Sequence, residues 1–173
     1  MNRFADWLSK TSPSHTLRVH ESWVIPGVQS IHIIGIAIIM GSVFMILLRI
    51  LGWAGTDQTL RQTTDRFGPW LIGALFLQLA TGLVMILAEP VRELVNFSFW
   101  TKMVFVAAGT LLAGIFLITL PNHEQRWETL VNRRSIKSLA VVTFVIFLCI
   151  IVLGRLIAYD HIWGSWSPAK VGY

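Results

Sequence analysis

Residues 33–51 read IIGIAIIMGSVFMILLRIL, an apolar run whose sole charge, Arg49, stands two residues from its end. A helix rises 1.5 Å per residue, and a hydrocarbon core of about 30 Å takes about 20 residues to cross. The run therefore predicts a transmembrane helix. A membrane-barrel strand would alternate apolar and polar residues and need only about 10 of them.

Three further runs have the same character: Pro69–Ala88, Met103–Leu120 and Leu139–Ala158. Gly52 follows the first, Gly68-Pro69 opens the second, Glu89-Pro90 closes it and Pro121-Asn122 closes the third, so each predicted span ends at a residue that breaks or caps a helix. The connections are short, which makes neighbouring helices antiparallel. The predicted fold is all-α: one transmembrane domain over 1–173, an up-and-down four-helix bundle with spans at 33–51, 69–88, 103–120 and 139–158. Residues 1–32 are read as an extramembrane or interfacial N-terminal segment, with 16–29 lying on the membrane and the chain turning inward at Pro26-Gly27. Ser9 to Ser14 is its polar lead-in.

Composition agrees. Hydrophobic residues make up 54% and charged residues 13% of the 173, with a mean hydropathy of +0.65, whereas soluble domains carry roughly 25% charged residues. The net charge of +5 lies between apolar runs and not in a stripe interleaved with aromatics, so it points to a membrane surface and away from nucleic acid. The single cysteine, Cys149, stands inside an apolar run. No apolar core of a signal peptide appears ahead of the first span, which is expected to be retained.

Tryptophan favours the membrane–water boundary. Trp23, Trp100, Trp163 and Trp166 fall at one predicted face and Trp53, Trp70 and Trp127 at the other, with Trp7 in the remote tail. Arg49, Arg61, Arg66, Arg126, Arg133, Arg134 and Lys137 gather on the side of the first and third loops, against Arg92 and Lys102 at the middle loop. This asymmetry puts the first and third loops in the cytoplasm and both termini outside it, although Arg3, Lys10, Arg18 and Lys170 weaken the contrast.

Ionisable groups within a span are costly, so each marks a candidate site. His32 opens the first predicted span with Gly35 one turn on, the pairing a flat tetrapyrrole needs: an imidazole for iron and a small residue where the ring meets backbone. The competing reading is an interfacial histidine bonded to a neighbouring helix. His15, His20 and His161 belong to the same face, which makes His161 the expected second metal ligand and His20 the reserve. Arg155 and Lys102 are candidates for propionate partners, or for cations that snorkel to water. His123 reads as a solvated loop residue. Gln78, Thr81 and Gly82 share one face of the second span, turned toward a neighbouring helix or a quinone-like carbonyl. Glu89, Glu93, Asp57 and Asp65 read as solvated loop acids. The sequence holds no Ser/His/Asp spacing, no zinc-binding cluster and no phosphate-binding glycine loop, so hydrolytic and nucleotide chemistry are not expected.

The segments WVIPGVQSIHIIGIAIIMGSVFMILLRILG (23–52), RFGPWLIGALFLQLATGLVMILAEP (66–90) and WTKMVFV (100–106) resemble a family of small bacterial four-span membrane proteins. That family is distantly similar to b-type cytochrome and copper-resistance membrane subunits. His32 matches the histidine of the family's first span, and Arg49 with Leu51-Gly52 its basic ending. The acidic residue that usually precedes the arginine is replaced by Ile46-Leu47-Leu48. The resemblance implies a haem-binding bundle in the bacterial inner membrane. Together with the residues above, it leads to the expectation of a membrane-anchored electron-transfer subunit. Such a subunit holds haem b near the extracytoplasmic face on His32, with Gly35, Arg155 and Lys102 around it, and connects an extracytoplasmic redox partner with the quinone pool. The alternative is a cofactor-free anchor, assembly or transport-accessory subunit, though unbroken spans and the absence of repeated halves disfavour transport.

Overall fold

The structure is a computed structural model that describes residues 2–19, 21–122, 129–130 and 133–158. Among the described residues there is no strand. Two short helices, α1 (Asn2–Ser9) and α2 (Ser12–Val19), precede the spans α3 (Glu21–Leu51) and α4 (Leu60–Ala88). A single-turn helix, α5 (Pro90–Leu94), leads into α6 (Phe97–Asn122), and the last span, α7, is Arg134–Ala158.

All four spans are long and apolar enough to cross a membrane, and they pack as an antiparallel bundle. α3 packs most extensively on α4 and α6 on α7; α3 also meets α7, and α4 meets α6, closing the ring. The protein is an integral membrane four-helix bundle.

Each helix starts earlier than its apolar run. α3 begins twelve residues before Ile33, and Pro26 lies within it, so the turn expected at Pro26-Gly27 does not form. A proline ring obstructs only the carbonyl four residues back, here that of Ser22 in the first turn, where the helix loses little. α4 likewise begins nine residues before Pro69. Its start is set by a capping box: Thr59 Oγ1 accepts from Gln62 N at 3.2 Å while Thr59 N donates to Gln62 Oε1 at 2.9 Å. Gly68, expected to break the chain, is instead buried against α6; a Cβ there would stand 3.0 Å from Leu117 Cδ2. α6 starts where Asn96 Oδ1 accepts from Ser98 N at 2.8 Å.

The α3–α4 turn carries Gly52 and Gly55 at φ of 76° and 66°, a left-handed conformation that glycine adopts without penalty. Arg49 Nε closes it by donating to Gln58 O at 2.6 Å.

Two apolar clusters fill this half of the bundle and its middle. Ile46, Leu47, Ile50, Leu60, Phe116 and Ala140 form one, and Ile39, Val43, Leu71, Ala74, Ala113 and Phe147 the other. No more than 33% of any span's apolar window is buried inside the protein; the rest is half-buried or exposed. Trp23, Trp53, Trp70 and Trp100 are exposed, and Trp100 Nε1 donates to Leu94 O at 2.9 Å. Trp127, Trp163 and Trp166 lie outside the described residues.

The N-terminal helices are not a remote tail. α1, with Ala5 fully buried, packs on α5, α2 packs on α4, and Ser14 is fully buried where a polar lead-in was expected. Trp7 stacks on Phe4 with ring centroids 5.8 Å apart.

Replacing Thr59 by alanine removes the acceptor for the first turn of α4. It should lower stability in a denaturant titration of the detergent-solubilised protein by about 0.5–2 kcal/mol. Thr59→Ser should retain most of the wild-type stability.

Candidate functional site

Antiparallel order brings four helix ends to one side of the bundle: the start of α3, the end of α4, the start of α6 and the end of α7. Polar side chains from these ends form the tier that the apolar clusters leave unfilled.

His32 is its centre. It is the twelfth residue of α3, inside the span and not at its mouth, because the helix begins at Glu21. Its ring is held from α4: Nδ1 and Thr81 Oγ1 are 2.7 Å apart. Its backbone carbonyl is held from α4 as well, accepting from Gln78 Nε2 at 2.8 Å. Thr81 Oγ1 also lies 2.7 Å from Leu77 O and 3.3 Å from Gln78 O. One turn of α4 thus grips both the side chain and the main chain of one residue on α3.

Gly35 gives that grip its room, whereas at Gly82 a side chain would meet only an ordinary van der Waals contact. Cβ atoms built on Gly35 and Gly82 would stand 3.2 Å from Gln78 Nε2 and 4.0 Å from His32 Cε1. The space beside Gly35 is therefore filled by the Gln78 amide, not held open for a ring system. Gln78 Oε1 is buried without a hydrogen-bond partner among the described residues.

Lys102, in the second turn of α6, supplies the charge of this tier. Its ammonium lies against α7, with Nζ 3.5 Å from the position of a Cβ on Gly154. It acts electrostatically on His32, and the carboxylate of Glu93 on α5 acts on it in turn. Glu93 is thus half-buried in a helix beside the bundle end, where a solvated loop acid was expected. Arg155 follows Gly154 in the last turn of α7 and is exposed. His15 is exposed on α2. His20, His123, Asp160 and His161 lie outside the described residues.

Among the described residues no group of three or more His, Cys, Asp or Glu side chains is placed to hold a metal ion. An apolar cavity lined by Val43, Leu47, Leu71, Phe116 and Thr143 lies between the apolar clusters and does not reach His32. A second, between α3 and α4, is lined by Val28, Gln29, Val84 and Met85, one turn outward from His32 and Thr81.

The sequence profile of a family of unknown function, DUF6644, matches residues 21–160. The chain belongs to this family. No curated protein and no solved structure gives a significant match. The matched segment of the DUF6644 protein runs from the first residue of α3 to just past α7, so it holds the whole bundle and leaves α1 and α2 ahead of it. His32 is inside that segment, His20 immediately before it and His161 immediately after it.

The face formed by Gln78, Thr81 and Gly82 was legible in the sequence, but its partner was not. Thr81 and His32 are 49 residues apart, and no local pattern records that pairing.

Gly35→Ala should displace the Gln78 amide and weaken its bond to the His32 carbonyl. The expected loss is about 1 kcal/mol, read by denaturant titration in mixed micelles, with Gln78→Leu giving a similar loss and the double variant little more than either.

Proposed function

We propose that this chain is a haem-binding subunit of an electron-transfer assembly in the bacterial inner membrane, with His32 as an axial ligand. The observation that carries the reading is a half-buried imidazole inside a span whose Nε2 has no partner among the described residues. A lone histidine cannot chelate a bare ion, since structural metal sites take three or four protein ligands. It suits a metal whose equatorial positions are already filled, as in a tetrapyrrole. A haem would supply one-electron chemistry.

The donor set fits this group; the expected cradle does not, because Gln78 occupies the space beside Gly35. Lys102, close enough to act on His32, suits a propionate better than the exposed Arg155. His161 and His20 remain the proposed second ligands. An extracytoplasmic redox protein and the quinone pool are the proposed partners. The exposed Arg61, Arg66, Arg133 and Arg134 of the loop-bearing end support a proposed orientation with that end in the cytoplasm and the His32 end outside it.

The grip of Gln78 and Thr81 on α3 favours a second reading, in which His32 is a structural tie and the chain a cofactor-free anchor or assembly subunit. A reduced-minus-oxidised absorption spectrum of protein made with ample haem separates the two. Haem ligation predicts Soret and α bands that His32→Ala abolishes or strongly shifts. Absence of both bands from the wild type rejects the haem reading, and bands unchanged in the variant reject His32 as ligand.

A further inference from the structure

We infer that Thr81 fixes the tautomer of His32, holding the proton on Nδ1 so that Nε2 presents a lone pair. The tautomer follows from the protons available. A threonine hydroxyl has one, and two acceptors compete for it at the same 2.7 Å: Leu77 O and His32 Nδ1. A carbonyl cannot donate. If the hydroxyl proton went to Nδ1, two oxygens that share no proton would face each other at 2.7 Å, and the ring N–H would sit on Nε2 without an acceptor among the described residues. With the proton directed to Leu77 O, the usual back-bond of a helical threonine, the hydroxyl accepts from Nδ1–H and every short contact has a donor.

Gln78 fixes the other coordinate. By donating to the carbonyl of His32 at 2.8 Å, it sets the height of residue 32 against α4, and so the reach of its ring to Thr81. Thr81 and Gln78 are positioning residues. Of the side-chain nitrogens and oxygens that are fully buried among the described residues, only Gln78 Oε1 lacks a partner. Nε2, also without a partner, is therefore not sealed off. Such a nitrogen accepts either a hydrogen bond from a donor or, under the haem reading above, a metal centre that carries its other ligands with it. Histidine ligands of metals commonly have their second nitrogen held in this way, which orients the ring and raises its basicity. The significance for ligation rests on the haem reading above, whereas the tautomer itself does not.

The test is nitrogen-15 NMR of the full-length, haem-free protein in lipid nanodiscs at neutral pH, with labelled histidine and His32 assigned by its loss in His32→Gln. The expected result is a single Nδ1–H tautomer for His32, the reverse of the Nε2–H preference of a free histidine side chain in water. Thr81→Ser should keep that signature, and Thr81→Val should lose it. A wild-type His32 carrying its proton on Nε2, or averaging between nitrogens, overturns the inference. So does a Thr81→Val protein that melts like wild type and keeps the Nδ1–H signal. Should Thr81→Val fail to fold, Thr81→Ser and the wild-type tautomer still decide. Haem-loaded protein gives the separate readout: Thr81→Val should retain a Soret band with a shifted midpoint potential. A preparation with no Soret band but a clean Nδ1–H signal rejects the haem reading and leaves the tautomer assignment standing.

Discussion

The contact on which the bundle's polar end depends is the pair of hydrogen bonds from α4 to residue 32 of α3. In hydrocarbon, a polar group that finds no partner in the protein has no water to turn to. A histidine and a glutamine within two apolar helices must therefore meet or be expelled. Here the amide of Gln78 meets the His32 carbonyl and the hydroxyl of Thr81 meets its ring. Apolar packing alone leaves the rotation of α3 against α4 weakly specified, because lipid tails are as apolar as leucine. The polar pair specifies it. Gly35 admits the Gln78 side chain.

The same environment accounts for what the sequence disclosed and what it withheld. Four apolar runs disclose four spans because each must be continuous to cross. The helix starts were less legible, because a proline in the first turns of a helix obstructs few carbonyls: Pro26 and Pro69 lie inside α3 and α4. The true starts come from capping residues with no apolar signature, Thr59 and Asn96 among them.

The candidate site was legible in part. His32, Gln78, Thr81 and Lys102 stand out by type and depth, since polar residues are scarce in spans. Their pairing was not legible, because it depends on rotation and register between helices. Gly35 illustrates the difficulty. Its spacing from His32 suited a ring cradle, yet the atom beside it belongs to Gln78 on another helix. Glu93, next to the loop-like Glu89-Pro90, was equally hidden: only the folded α5 brings it within electrostatic reach of Lys102.

The thin interior of the bundle has a consequence of its own. With at most a third of each apolar window buried inside the protein, surrounding acyl chains add dispersion contacts that a soluble protein draws from its own core. Lipid is in effect the outer half of this protein's hydrophobic interior. A change in bilayer thickness or acyl order would then reach the His32 tier as a change of core packing does in water, by altering how α3 leans on α4.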